Sequence, residues 1–292
     1  MNSLCIKTND DKILNYLKKE FWDFNMLNVF YSCNEFKYYK NIIIHYKGID
    51  TDLFYNKLAT ILSYLVIDYY ENDIIKNILK SNYFYFENSE LKSILEICTE
   101  NLCDDEYSLP NRQLLLFDAF YEYITKHHAI VLNGFINFRL YNYRNLLEEL
   151  IDYSVNSFII EREYAEFISL LKIYVNSQNS SYNSVHIVCL QNETLILDEE
   201  LEVIDVDKES LNVKYLSDIS FSDNDYILNT LLDIIPKRIY IHLVNGALNS
   251  EFANTIKLIF EDRVKICTDC DICNLYKKLV VKQTKGGEWS TF

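Results

Sequence analysis

Residues 133–178 read NGFINFRLYNYRNLLEELIDYSVNSFIIEREYAEFISLLKIYVNSQ, a run with no proline and one glycine near its start. Apolar side chains recur every three or four residues along it, which is the pattern of amphipathic helices. The spacing predicts one helix over 135–158 and a second over 161–175. The apolar stripe of the first helix consists of Leu140, Tyr143, Leu147, Leu150, Ile151, Val155 and Phe158.

The residues before this run predict a mixture of strands and helices. Residues 29–33 alternate in polarity and residues 42–46 are rich in β-branched side chains, so the two segments predict a β-hairpin. Asp50 or Thr51 then stands where a helix N-cap is needed, ahead of a long apolar stripe. The N-terminal part is therefore predicted to combine a small sheet with helices.

After residue 178, the spacing of the apolar side chains changes from the helical pattern to that of strands. A polar segment at 176–183 is the best candidate for a linker. Apolar runs at 185–189 and 239–243 predict strands, and the second is followed by a helix capped by Ser250 and a further strand at 263–266. Strand, helix and strand at this spacing predict a right-handed βαβ unit.

These patterns together predict an α+β fold that is mainly helical. Residues 1–105 are predicted to form an N-terminal α/β region, residues 106–180 a helical region, and residues 181–292 a small C-terminal α/β region with the βαβ unit. Only five glycines and two prolines occur among the 292 residues. So few turn-forming residues favour long helices over a many-stranded sandwich.

The charge and the apolar segments limit the function classes. The net charge is −15, and no dense cluster of lysine and arginine interrupts the acidic sequence, which disfavours nucleic acid and anionic lipid as partners. The most apolar windows, at 42–44 and 59–67, are far shorter than the ~20 residues that cross a bilayer. With no basic, apolar leader at its start, the chain is predicted to be cytoplasmic, where its eight cysteines stay reduced or bind metal.

The sharpest chemical motif is C-T-D-C-D-I-C at residues 267–273, which overlaps two C-x-x-C units directly after a predicted strand. This spacing lets two thiolates reach one metal ion from a tight turn. His242 ends the partner strand of the βαβ unit, so it can face Cys267 if the two strands are adjacent and parallel. We therefore take Cys267, Cys270, Cys273 and His242 as a candidate zinc site.

Three other interpretations of this motif remain open. A thiol–disulfide pair at a strand-to-helix turn is one, and an iron–sulfur cluster is another, although the usual cluster motifs are longer or end in Cys-Pro. The third is three small, partly buried thiols on one helix face. Cys189 and His186 are weaker candidates for the fourth ligand.

The sequence contains no recognised catalytic constellation. Phosphate-binding loops of the P-loop and dinucleotide types are absent, as is a serine nucleophile elbow. His127 and His128 are adjacent and would point about 100° apart on a helix, so they chelate poorly. The carboxylates near residues 148–152 and 161–166 are more typical of a solvated helix face than of acid–base catalysis. These features favour a non-enzymatic protein.

The middle of the chain resembles the YtxC-like family, whose members are linked to sporulation. The motif Asn137-Phe138-Arg139-Leu140, then Tyr143, then residues 163–168, carries the similarity, and residues 234–242 and 263–273 add to it. The resemblance covers about residues 106–275. It implies a spore-forming bacterial host and a link to sporulation, and it assigns no activity, cofactor or catalytic residue.

Two functional hypotheses follow. The first is an interaction or regulatory protein of sporulation with a protein partner, for which Arg139 and Tyr143, one turn apart on a helix, are candidate partner-binding residues. A local bond of Arg139 and a core position for Tyr143 is the competing interpretation. The second is a zinc or thiol-redox protein built on the cysteine cluster.

Overall fold

The computed structural model of the chain describes six stretches, namely residues 2–37, 39–190, 194–204, 222–244, 250–267 and 269–285. These residues form an α+β fold that is mainly helical, as the sequence predicted. They divide into two compact parts, which we call the N-terminal unit (residues 1–161) and the C-terminal unit (residues 162–292).

The described residues of the N-terminal unit form a four-stranded sheet and seven helices, the last of which extends past residue 161. In chain order the elements are β1 (Asn2–Thr8), α1 (Asp11–Trp22), β2 (Val29–Glu35), β3 (Lys40–Tyr46), α2 (Thr51–Tyr69), α3 (Glu71–Asn82), α4 (Asn88–Asn101), α5 (Leu109–Lys126), β4 (Ala129–Val131), α6 (Leu132–Arg139) and α7 (Tyr141–Ser177).

The sheet of this unit has the order β2-β3-β1-β4. The predicted hairpin is confirmed, because β2 and β3 pair antiparallel with Val29 opposite Tyr46. The side chain of Asp50 accepts a hydrogen bond from the N–H of Leu53 and so caps α2, as its position suggested. Short strand β4, which the sequence analysis missed, pairs parallel with β1.

The two helices predicted over 135–158 and 161–175 have different bounds in the structure. The helical conformation is interrupted at Leu140, between α6 and α7, and α7 then continues as one helix of 37 residues. Nothing around residues 158–161 ends a helix, since neither glycine nor proline occurs there and Glu161 is a good helix former. The predicted helix end between residues 158 and 161 is therefore wrong.

The C-terminal unit is a small α/β fold. After α7 its elements are β5 (Val185–Cys189), β6 (Thr194–Leu197), α8 (Asp223–Ile234), β7 (Ile239–Leu243), α9 (Ser250–Phe260), a 3-10 turn (Glu261–Arg263), β8 (Val264–Cys267) and α10 (Asp271–Lys285). The strand order is β6-β5-β7-β8.

The predicted βαβ unit is confirmed, since β7 and β8 are adjacent and parallel. Side chains alternate across this sheet. Ile239 and Ile241 join a core formed with α8, α9 and the end of α7, whereas Val188 and Val244 face the opposite side, where α10 packs. The face toward α10 is the one that carries the candidate site.

No helix within the described stretches combines the length and apolar content needed to cross a lipid bilayer.

Candidate metal centre

Four side chains that the sequence singled out converge at one end of the C-terminal sheet. They are His242, Cys267, Cys270 and Cys273, and one ligand atom from each lies within 4.8 Å of the others. Cys273 is fully buried and His242 is 3% exposed, whereas Cys267 and Cys270 are partly exposed. The cluster therefore has a dry inner side and a wetter outer side.

The sheet register brings the first two ligands together. His242 near the end of β7 is the direct partner of Cys267, which ends β8. Because both strands run parallel, their carboxyl ends meet at the same edge, where α/β folds commonly place their ligand sites. Helix α10 packs on the same face of the sheet as His242.

The start of α10 supplies the other two ligands. Cys270 is the N-cap residue, since its carbonyl accepts the N–H of Asn274 and its sulfur lies 3.5 Å from the N–H of Cys273. Cys273 stands in the first turn, and the apolar contacts of Ile272 and Tyr276 hold that turn against the sheet. A cysteine here takes the place of the serine or aspartate usual at an N-cap.

The distances among three of the four candidate ligand atoms are close to those of a tetrahedral zinc site. The sulfurs of Cys270 and Cys273 are 3.6 Å apart, and His242 Nδ1 lies 3.4 Å and 3.5 Å from them. With Zn–S bonds of about 2.3 Å and Zn–N bonds of about 2.05 Å, a tetrahedron has S–S edges of about 3.8 Å and N–S edges of about 3.5 Å. Cys270, Cys273 and His242 thus lie at close to the spacing that a tetrahedral zinc ion would require, and a ligand atom of Cys267 lies within 4.8 Å of all three.

His186 contacts the ring nitrogen of His242 that does not face the sulfurs. Its Nδ1 lies 2.9 Å from His242 Nε2, and the two rings stack with centroids 5.2 Å apart. With Nδ1 of His242 as the metal ligand, its Nε2 would carry the proton and donate a hydrogen bond to Nδ1 of His186. Fixing the tautomer of a histidine ligand through its second nitrogen is the usual task of residues around a metal site. His186 is therefore a supporting residue and not a ligand.

The environment sets the protonation of the ligands. Burial, with a smaller contribution from His186, lowers the pKa of His242 to about 4, so its imidazole is neutral at pH 7 and offers a lone pair. Burial alone would raise the pKa of Cys270, but hydrogen bonds from Cys273 and Cys267 outweigh it and lower that pKa. Burial and the hydrogen bond with Cys270 raise the pKa of Cys273 to about 11.

The remaining sequence candidates lie elsewhere. Cys189 faces the opposite core of the C-terminal sheet, and burial raises its thiol pKa to about 11. His127 and His128 are both exposed, and His127 stacks on Tyr123. Most of the carboxylates at 148–152 and 161–166 are solvent-exposed or only half-buried.

Arg139 and Tyr143 were predicted to lie one turn apart on a single helix, but Arg139 ends α6 and Tyr143 lies in α7, and their environments differ. The guanidinium of Arg139 is exposed and stands 5.1 Å above the ring of Tyr123, a cation–π contact. Tyr143 is buried, and its hydroxyl donates to Glu71, which also pairs with Arg112. This buried polar network was not predicted from sequence, because no local pattern connects residues so far apart.

Replacing His186 with leucine should weaken zinc binding about 10- to 100-fold, because it removes the acceptor that holds His242 in the ligand tautomer. His186→Asn should lose less, since its side-chain oxygen can stand where Nδ1 stood. Competition with a chromophoric chelator measures the affinity, and the visible spectrum of the cobalt-substituted protein reports the ligand geometry. Equal affinity and equal spectra in all three proteins would contradict the role of His186.

The fold and the cluster define an α+β protein with three cysteines and one histidine within metal-binding distance of one another in a small α/β unit. The chain belongs to the YtxC-like family, whose model matches residues 56–265. It is 21% identical over 203 residues to the uncharacterized protein YtxC of Bacillus subtilis. The aligned region covers 67% of this chain and 71% of that protein. No solved structure matches the chain. His186 and His242 fall inside the family match, and the three cysteines lie just beyond it.

Proposed function

We propose that the protein is a non-enzymatic zinc-binding member of its family, in which Cys267, Cys270, Cys273 and His242 hold one Zn²⁺ that fastens α10 to the sheet edge. The observation that carries the proposal is the spacing of three ligand atoms, since the sulfurs of Cys270 and Cys273 and Nδ1 of His242 lie between 3.4 and 3.6 Å from one another. Four protein ligands complete a tetrahedron and leave no position for water or substrate, which is the hallmark of a structural site.

The donor set favours zinc over the other metals considered. Three soft thiolates with one imidazole suit zinc, whereas magnesium and calcium need oxygen ligands. In a four-iron cluster each thiolate binds a different iron atom, so the sulfurs stand farther apart than the 3.6 Å between Cys270 and Cys273. The geometry thus supports a single tetrahedral ion.

Protein purified without chelator and without air should contain close to one zinc per chain by elemental analysis. Cys270→Ser should lose most of this zinc, because a hydroxyl is a poor replacement for a thiolate ligand. Cys103→Ser is the matched control, since Cys103 is exposed and outside the cluster. Zinc content that is near zero in the parent protein, or equal in both variants, would refute the proposal.

We further propose that the protein acts in sporulation through a protein partner. The family resemblance supports the process, and one surface supports the partner, because α7 exposes a row of apolar side chains within the C-terminal unit. This row comprises Tyr164, Phe167, Leu170, Ile173 and Tyr174. Exposed apolar patches of this kind are typical of interaction sites. A partner that is recovered from sporulating cells by the parent chain and lost with Phe167→Asp would support this role, whereas equal recovery would count against it.

A further inference from the structure

We propose that the cluster is also a thiol–disulfide exchange site, in which a small disulfide oxidises Cys270 and Cys273 to a disulfide and thereby releases the metal. This inference rests on the proposed zinc site and adds its regulation. Zinc binding and the exchange reaction use the same two sulfurs, so the loaded and oxidised states exclude each other.

The two sulfurs are positioned for bond formation. They lie 3.6 Å apart at the start of α10, with Cys270 as N-cap and Cys273 in the first turn. A disulfide bond of about 2.05 Å requires them to approach by about 1.5 Å, which side-chain rotation within one turn can supply. Cys267 lies in β8, so a disulfide with it would join two separate elements. The Cys270–Cys273 pair is therefore the one that closes with least movement.

The solvent accessibility of the two sulfurs decides which cysteine reacts first with the disulfide. Cys270 is partly exposed on the outer side of the cluster, whereas Cys273 is fully buried beneath it. A disulfide arriving from solvent can reach the sulfur of Cys270 but not that of Cys273. Cys270 is the attacking thiolate, and Cys273 is the resolving one.

The reaction balances with a small disulfide, RSSR, as oxidant. The Cys270 thiolate attacks one sulfur of RSSR, the R–S–S–R bond breaks, and the first RS⁻ leaves as a mixed disulfide forms on Cys270. The Cys273 thiolate then attacks the Cys270 sulfur, the Cys270–Cys273 bond forms, and the second RS⁻ leaves. Two electrons pass from the protein sulfurs to RSSR, and both leaving thiolates take protons from water according to their pKa values.

Metal release follows from the loss of ligands. A disulfide sulfur carries no negative charge and is a poor zinc ligand, because the thiolate is the binding form. After oxidation only Cys267 and His242 remain of the four ligands. Two ligands do not hold zinc against a competing chelator, whereas reduction restores the full set.

The test uses zinc-loaded protein without air, with its zinc content measured first. The oxidant is 2-hydroxyethyl disulfide, which is neutral and so is not repelled by a chain of net charge −15. A chromogenic chelator reports released zinc, and peptide mass spectrometry maps the disulfides. We expect zinc release to rise in step with a Cys270–Cys273 disulfide, equally in Cys103→Ser, and to reverse when a phosphine reductant and zinc are added.

Two results would overturn the inference while leaving the zinc site intact. One is zinc that stays bound while the exposed thiols of Cys33 and Cys103 react. The other is zinc that leaves without a Cys270–Cys273 disulfide. A chain that holds no zinc before the oxidant is added would instead refute the proposed function itself, so the two failures are distinguishable.

Discussion

Replacing Arg112 with methionine should destabilise the N-terminal unit by about 3–5 kcal/mol, because it leaves a carboxylate buried without its counter-charge. Glu71, at the start of α3, is 7% exposed, and Arg112 of α5 is 6% exposed. The Arg112 guanidinium contacts both carboxylate oxygens of Glu71, and its Nε donates to the carbonyl of Tyr107 at 2.8 Å. The pair therefore links three segments of this unit.

Tyr143 completes the network but cannot compensate for the lost arginine. Its hydroxyl donates to Glu71, and burial, together with the negative charge of Glu71, raises its pKa above the ordinary value. The hydroxyl thus stays protonated and neutral at any moderate pH. After Arg112→Met, one neutral donor would face a full buried negative charge, and such a charge costs several kcal/mol.

Two further variants isolate the cause. Adding Glu71→Gln to Arg112→Met should recover much of the loss, since the buried charge is then gone. Lys126→Met in the same helix is the control, because Lys126 pairs with Glu122 where both side chains are exposed, and such pairs contribute at most about 1 kcal/mol. Urea unfolding followed by circular dichroism gives the free energies. Similar losses for Arg112→Met and Lys126→Met would contradict the argument.

The part of the fold that follows from local pattern was predictable from sequence. The βαβ unit is an example, since apolar runs of strand length flank a helix of the right length, and handedness rules leave few arrangements. The same reasoning placed His242 beside Cys267, because adjacent parallel strands end at one edge. The placement of His242 beside Cys267 required only that the two strands be neighbours. Strands joined through one helix are usually neighbours in the same sheet.

The parts that depend on distant contacts were not predictable. The sequence shows nothing that connects Glu71, Arg112 and Tyr143, which are separated by tens of residues. The apolar stripe favoured a core position for Tyr143, which is correct, but it could not indicate the partner of the hydroxyl. Two interpretations of the cysteine motif assumed a helix after it, but the start of α10 was not assigned, because its N-cap is a cysteine instead of one of the usual capping residues. His186 was considered only as a ligand, since its supporting role depends on a 2.9 Å contact to the far side of His242.

Removing zinc from the proposed site should lower the free energy of unfolding of the C-terminal unit by about 4 kcal/mol, relative to protein in free zinc at about 1,000 times the dissociation constant. The reason is mass action, because a ligand that binds only the folded state stabilises that state. The unit should nevertheless stay folded at 25 °C. Unlike a zinc finger, it has a core of its own, formed by α8, α9 and one face of the sheet.

Hydrogen exchange measured by mass spectrometry, with and without a zinc chelator, locates the effect. Protection should fall in β8 and at the start of α10, which the metal joins, and fall less in β5, whose inner face packs in that separate core. Helices α2 and α5 of the N-terminal unit should be unchanged. The Cys103→Ser protein should respond to the chelator as the parent does. Even when no chelator is added, Cys270→Ser should show the low protection that the parent shows with chelator. A loss of protection spread evenly over both units would mean that the chelator acts through something other than this cluster. A loss confined to the cluster would instead show that the metal fastens α10 to a sheet that is already formed.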